Sequence, residues 1–247
     1  MDIRALIFDV NSTLIDIETD EGMEEAYRTI SHFLTYQGIM LHRWEVRDLY
    51  MLILKEDLDR RTERYPEFDA VKVWQEFIRR SGTSVTRALP EERLQQLPRF
   101  LAELFRGATR KRLTTYPQVL PTLDRLKPLY PMAVVTDAQS VHAVPELRAV
   151  GLMDYFNPVI VSGDYGFRKP DPRLFDRALS MLKIAGEQAV FVGDQRFRDV
   201  FGPRQLGMKT VLYYTGPSSA KNPEIEPDYV IHQFGDLPVA LEFLRMR

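Results

Sequence analysis

A chain of 247 residues exceeds the usual size of one hydrophobic core, which sets one large or two unequal domains as the expectation. With 45% hydrophobic and 28% charged residues and a formal net charge of −2, it can bury a core and offers no general attraction to nucleic acid or an anionic membrane. The absence of cysteine removes disulfides, thiolate chemistry and cysteine-type zinc sites, and none of His32, His42, His142 and His232 has the i, i+4 spacing of a helical zinc site.

The first element is Ala5-Leu6-Ile7-Phe8, an apolar run that ends in Asp9, followed by Val10, Asn11, Ser12 and Thr13. This is the pattern of a buried strand delivering a carboxylate to an exposed edge, although Asp also serves simply to cap the turn after a strand. No apolar run approaches the ~20 residues of a membrane span, and Asp2, Arg4 and Asp9 interrupt any signal core, so a soluble, cytoplasmic protein is expected. An acidic connector at residues 16–21 then leads into a long stretch dominated by helical spacing. Four faces stand out: Ala26, Ile30, Phe33 and Leu34; Leu49, Leu52, Ile53 and Leu54; Val71, Val73, Trp74, Phe77 and Ile78; and Leu94, Leu97, Phe100, Leu101 and Leu104. They describe a small helical bundle.

Residues 107–116, with Arg110-Lys111-Arg112 ahead of Tyr116-Pro117, read as an exit linker. Beyond it, helices alternate with short apolar runs at residues 132–135, 159–161, 189–192 and 211–214, then a weaker run at 229–231 and a closing helix at 237–244. Apolar, non-alternating strands between helices predict a doubly wound parallel α/β sheet covered on both faces. The helical block is then an insertion after the first strand of that sheet.

The residues that follow each run carry the chemistry. The first run ends in Asp9 and the second in Thr136-Asp137; the third leads to Arg168-Lys169-Pro170-Asp171-Pro172; the fourth ends in Gly193-Asp194, with Asp199 beyond. Parallel strands bring all of these to one sheet edge. Clustered carboxylates without His or Cys suit a hard cation such as Mg²⁺. A hydroxyl, a lysine and free main-chain amides suit phosphoryl oxygens, and an aspartate can form a covalent phosphoryl intermediate.

In order, spacing and placement at strand ends, Asp9-Val10-Asn11-Ser12-Thr13, Thr136, Lys169 and Gly193-Asp194 with Asp199 resemble the four motifs of the haloacid dehalogenase superfamily. The resemblance covers essentially the whole chain. It implies a Rossmann-like catalytic core over residues 1–16 and 111–247, with residues 17–110 as a mobile cap that closes over a small phosphorylated metabolite. It implies Asp9 as nucleophile, Thr136 and Lys169 as holders of phosphoryl oxygens, and Lys169 as a support for Asp9. Asp9, Asp194 and the main-chain carbonyl of Asn11 would hold Mg²⁺, with Asp199 as ligand or support; Thr13 would order the turn, and Asp137 would lie beside the phosphoryl group.

One position departs from the family pattern. Its phosphatases place a second aspartate, the acid and base of the reaction, two residues after the nucleophile, where this chain has Asn11. An amide can orient a water but cannot exchange a proton with it, and losing a positioned acid or base typically costs ~10² to 10⁴ in rate. Asp137 is a possible substitute, although Asp beside a strand end is ordinarily a turn residue. Ser12 likewise replaces a glycine common in this turn. The expected activity is Mg²⁺-dependent phosphoryl transfer, or hydrolysis of phosphate esters or acyl phosphates, slowed by Asn11. The alternatives are a binding or regulatory protein of the same fold, and a carbon–halogen hydrolase, whose relatives also lack the second aspartate.

Substrate choice is expected to fall to the helical block. There Arg43, Arg47, Lys55, Arg60, Arg61 and Arg64 are candidate anion contacts amid many acids, and Trp44, Tyr50 and Trp74 are candidate pocket aromatics.

Overall fold

A strand whose side chains are apolar on both faces needs cover on both faces, and the sheet meets that demand. The computed structural model describes residues 2–246. Its strands are β1 (Ala5–Phe8), β2 (Ile15–Thr19), β3 (Arg110–Thr115), β4 (Met132–Thr136), β5 (Val159–Val161), β6 (Ala189–Gly193), β7 (Lys209–Tyr213) and β8 (Tyr229–Ile231). Its helices are α1 (Glu24–Thr35), α2 (Arg43–Asp59), α3 (Ala70–Ser81), α4 (Ser84–Arg87), α5 (Glu91–Thr109), α6 (Val119–Leu126), α7 (Ser140–Ala149), α8 (Pro172–Leu182), α9 (Gly202–Arg204) and α10 (Leu237–Arg245).

Six strands pair in parallel in the order β5-β4-β1-β6-β7-β8. The chain steps outward from β1 through β4 to β5 on one side and through β6 and β7 to β8 on the other. The strand order therefore reverses beside β1, and the crevice at the carboxyl ends opens there. Alternation within the buried strands divides the core. Leu6, Phe8, Val134, Val190 and Val192 pack with Leu123 of α6 and Leu241 of α10, while Ile7, Val135 and Phe191 face Leu174 and Phe175 of α8. Burying one such side chain contributes about 1.5–3 kcal/mol, and Phe8→Ala is expected to cost about 3–5 kcal/mol. α8 begins where Asp171 accepts the amide of Arg173 at 3.0 Å with Pro172 in the first turn, so this aspartate is a helix cap.

The helices α1, α2, α3 and α5 build a separate apolar cluster around Tyr27, Tyr50, Trp74, Phe77 and Phe105. It includes Val141, which makes α7 the core helix against which α5 rests. Two expected face residues, Leu52 and Phe100, are exposed; α2 buries the expected Ile53 together with Val46 and Tyr50. Tyr50 and Trp74 stack with centroids 4.8 Å apart.

The two expected linkers are instead strands. β2 and β3 pair antiparallel, from Ile15 opposite Thr115 to Thr19 opposite Arg110. Arg112 bridges Asp16 and Glu18 at 2.8 and 2.9 Å, and Lys111 meets Asp20 at 2.7 Å. Their charges are complementary across the ribbon, so two runs that look like solvated connectors hold each other. The expected boundaries near residues 17 and 110 fall within this ribbon, and the helices themselves run from Glu24 to Thr109. Among the described residues no helix is long and apolar enough to cross a membrane.

Candidate active site

The site begins where β1 ends. The amide of Asp9 still donates to the carbonyl of Val192 at 2.9 Å, as if the strand continued. The carbonyl of Val10 then accepts the amides of Thr13, Leu14 and Ile15 at 3.2, 2.8 and 2.9 Å, which closes a tight turn. Ser12 sits in it with φ at 63°, the left-handed region that favours glycine. The turn therefore keeps a glycine conformation without the glycine.

Lys169, buried in the loop before α8, donates from Nζ to Oδ1 of Asp9 at 2.7 Å and to Oδ1 of Asp199 at 2.6 Å. Asp199 lies on a wide helical turn, Arg196–Phe201, and its Oδ2 accepts the amides of Asp194 and Gln195 at 3.1 and 3.0 Å. The close approach needs Gly193: a Cβ there would lie 2.4 Å from the Cβ of Asp199. Asp9, Asp194 and Asp199 each offer a carboxylate oxygen within 4.8 Å of the others, and all three are buried. Beside them the hydroxyls of Thr13 and Thr136 are buried without a hydrogen-bond partner.

This floor is short of positive charge. Burial, then the charges of Asp199 and Asp9, push Asp194 well above the usual carboxylate range. Burial also raises Asp199, opposed by Lys169 and reinforced by Asp9. Burial alone would push Lys169 down, but Asp199, Asp9 and Asp137 together hold it above the ordinary lysine value. A hard cation fits such a donor set, because every ligand atom is oxygen and one ammonium faces three carboxylates.

Above the floor lies a cavity of about 180 Å³. Asn11, Asp137 and Arg198 line it from the core, and Tyr50, Glu67 and Arg106 from the helical block. A larger hollow of about 540 Å³, which shares Gln139 with it, reaches neither Asn11 nor Asp137, so the smaller cavity is the one lined by the residues that follow β1 and β4. Oδ1 of Asp137 accepts the amide of Lys169 at 2.8 Å.

The segment between α2 and α3 clasps the core. Glu67, 3% exposed, accepts from Arg168 Nη2 at 2.7 Å and from Ser162 Oγ at 2.8 Å. Its amide donates to the carbonyl of Gly166 at 3.0 Å, and the amide of Arg168 donates to the carbonyl of Tyr65 at 2.9 Å. Gln139 closes the next turn, accepting from the amide of Ala70 at 2.8 Å and donating to the carbonyl of Phe68 at 2.9 Å. Burial raises Glu67, while Arg168 and Ser162 oppose the rise.

The structure thus brings Asp9, Lys169, Asp194 and Asp199 into contact or near contact and sets Thr13, Thr136, Asp137 and Asn11 around them. None of Arg43, Arg47, Lys55, Arg60, Arg61 and Arg64 lines the cavity above Asn11. Arg43, Arg47, Arg60 and Arg61 pair with Glu24, Asp48, Glu56 and Asp57 instead. The cations that do line the cavity are Arg106, Arg168 and Arg198. Of these Arg168 carried a sequence signal as the neighbour of Lys169, and Arg198 stands between Asp194 and Asp199; Arg106 carried none. Of the three candidate aromatics, Tyr50 reaches the cavity; Trp74 is core.

A carboxylate–lysine pair at the switch point of a doubly wound sheet, with two further carboxylates behind it, places the chain among α/β enzymes. A family model for haloacid dehalogenase-like hydrolases matches residues 3–207, and the chain belongs to that family of hydrolases. The glyceraldehyde 3-phosphate phosphatase of Methanopyrus kandleri is 28% identical over 228 residues, 92% of this chain and 90% of that protein. The phosphatase of the same name from Pyrococcus furiosus is 32% identical over 133 residues, so the match spans 53% of this chain and about half, 55%, of that relative. Among solved structures, the 2-haloacid dehalogenase of Pseudomonas syringae pv. Tomato DC3000 superposes with a TM-score of 0.71 at 25% identity, over 98% of this chain and 99% of that one.

Proposed function

We propose that the protein is a Mg²⁺-dependent phosphatase or phosphotransferase acting on a small phosphorylated metabolite through a phosphorylated Asp9. The observation that carries this reading is the floor itself: three buried carboxylates around one lysine, beside two buried hydroxyls that lack partners. The names of the two phosphatase relatives point the same way. A carbon–halogen hydrolase that attacks through Asp9 needs no cation, whereas Asp194 and Asp199 complete a donor set that suits one, which speaks against that reading despite the dehalogenase likeness.

In this reading Asp9 attacks phosphorus while Lys169 fixes its other oxygen, and Lys169, Thr13 and Thr136 receive phosphoryl oxygens. Asp9, Asp194, the carbonyl of Asn11 and Asp199, as ligand or support, hold Mg²⁺, which when bound offsets the charge of the carboxylates and the phosphoryl oxygens. Residues 17–110 act as a cover, and residues 1–16 with 111–247 as the catalytic unit. The cavity of about 180 Å³ is small beside ordinary ligand pockets of about 300–1,000 Å³ and suits a leaving group of a few atoms.

Asn11 favours a second reading, a protein that binds a phosphorylated ligand with little turnover. Alkyl, aryl and acyl phosphates assayed with and without Mg²⁺, beside halide release from 2-chloropropionate, separate the readings. Phosphate release that needs Mg²⁺ and falls by at least ~10⁴ in Asp9→Asn is expected. Halide release without phosphate release overturns the proposal, and ligand binding without release of either product favours the second reading.

A further inference from the structure

We infer that Asp137 fills the acid–base role that Asn11 cannot, giving a proton to the departing oxygen and later taking one from the attacking water. The inference rests on the phosphatase reading above. Phe8 and Val134 are paired in register on β1 and β4. Three residues further along each chain stand Asn11 and Asp137, and both line the same cavity. Asp137 thus flanks, from the adjacent strand, the space that an acid at position 11 would serve.

Glu21 also lines this cavity, but from the helical block and at an exposed position. The buried carboxylates near the cavity other than Asp137 are committed. Asp9 and Asp199 hold Lys169, and Asp194 belongs to the cation-binding floor. Glu67 has both oxygens occupied, Oε1 by Arg168 and the amide of Phe68, Oε2 by Ser162. Asp137 differs. Its Oδ1 accepts the amide of Lys169, which is the ordinary work of an aspartate after a strand. Among the described residues its buried Oδ2 has no hydrogen-bond partner, and Arg198 lies 3.4 Å from it. A buried carboxylate oxygen in that condition is costly until it carries a proton or meets a ligand. Burial raises the Asp137 carboxyl, opposed by Lys169 and Arg198 and reinforced by Asp9; Glu67 is a further like charge near it.

The atoms balance in two half-reactions. An Asp9 oxygen bonds to phosphorus as the bond from phosphorus to the leaving oxygen breaks, and the Asp137 proton passes to that oxygen. A water oxygen then bonds to phosphorus, its proton passes to the Asp137 carboxylate, and the bond from phosphorus to Asp9 breaks. Phosphate leaves, with both side chains restored.

Asp137→Asn keeps an acceptor for the Lys169 amide but removes the proton. The test is its kcat/KM for a simple alkyl phosphate and for acetyl phosphate, measured with Mg²⁺ on the same preparation of the full chain. That constant reports attack by Asp9 and departure of the leaving group but not the later hydrolysis of phosphorylated Asp9. Alkyl leaving groups need a proton and acyl ones do not, so a loss of ~10² or more is expected on the alkyl ester, against less than about tenfold on acetyl phosphate. The ratio of the two rates is independent of the folded fraction. Adding Asn11→Asp to Asp137→Asn is expected to restore alkyl hydrolysis by about tenfold or more. Equal losses on both substrates overturn the assignment of Asp137 and leave the phosphatase reading standing. A parent protein that releases phosphate from neither ester overturns both.

Discussion

Two buried charged centres face one cavity, and they are built on opposite terms. At the floor of the crevice Asp9 and Asp199 share the ammonium of Lys169, Asp194 lies beside them, and the hydroxyls of Thr13 and Thr136 have no hydrogen-bond partner among the described residues. At the seam with the helical block, Glu67 faces Arg168 and Ser162 with both oxygens hydrogen-bonded, and Glu146 meets Arg106 at 2.6 Å. Burial is common to both, so burial does not mark a reactive centre. Imbalance does: a ligand completes the floor, whereas the fold itself completes the seam.

Removing the one cation should separate them most sharply. Lys169→Met takes the neighbouring ammonium from the buried carboxylates of Asp9 and Asp199 and is expected to cost about 3–5 kcal/mol in metal-free buffer. Asp194 and Asp199 are raised in the folded state, so the stability they contribute is present at acid pH and lost as pH rises from the usual carboxylate range through neutrality. The parent and, more strongly, Lys169→Met should therefore recover stability on adding Mg²⁺ at about pH 8 and on acidifying without it. Chemical denaturation with EDTA or Mg²⁺ measures this, and a Lys169→Met protein indifferent to both would remove the imbalance argument.

At the seam the expected effect is smaller and of another kind. Glu67→Gln keeps the shape of the clasp and removes its charge, leaving Arg168 without a counter-charge, at about 1–3 kcal/mol. The response of stability to Mg²⁺ should match the parent's, and the maximal rate should fall less than about tenfold. A fall as deep as that of Asp9→Asn would merge the two centres into one.

His142, also at the seam, titrates with the opposite sign. Burial, then Arg106, push it down to about 4, while its Nε2 lies 3.2 Å from the carbonyl of Ala102. Below about pH 6.5 the unfolded chain takes up a proton that the folded chain refuses, so this contribution is full above that pH and fades toward about pH 4. The loss is on the order of 1–3 kcal/mol. His142→Gln should flatten it, and Mg²⁺ should leave it untouched. Acidification thus stabilises the floor and weakens the seam within one molecule.

The floor was legible in the sequence because its geometry follows from topology. Once β1, β4 and β6 are parallel, the residues after them share an edge whatever the rest of the chain does. The ribbon was not read, although Ile15-Asp16-Ile17-Glu18-Thr19 alternates with the period of a strand. The bases that balance its acids lie 94 and 96 positions away, and each charged run taken alone looks like a linker. Glu67 left no trace, because an acid between Pro66 and Phe68 resembles any surface glutamate until Arg168, 101 positions on, closes over it. Long-range charge pairing has no local signature; strand-end chemistry does.

The smallest expected effect tests the turn that joins Asp9 to the cavity. Ser12 holds φ at 63°, which costs a residue with a Cβ about 1–2 kcal/mol. Ser12→Gly relieves that strain and adds freedom to the unfolded chain, worth about 0.4–1 kcal/mol in the other direction. The net expectation is a gain between about 0 and 1.6 kcal/mol, read from chemical denaturation. Stability alone does not decide what the serine does, because it adjoins Asn11, which lines the cavity. If the left-handed serine only tolerates the turn, Ser12→Gly leaves phosphate release within about twofold of the parent while stability rises. If it holds Asn11 against the cavity, the added freedom lowers phosphate release although the protein is no less stable, and the boundary of the unbalanced floor extends from Asp9 through the turn to Asn11.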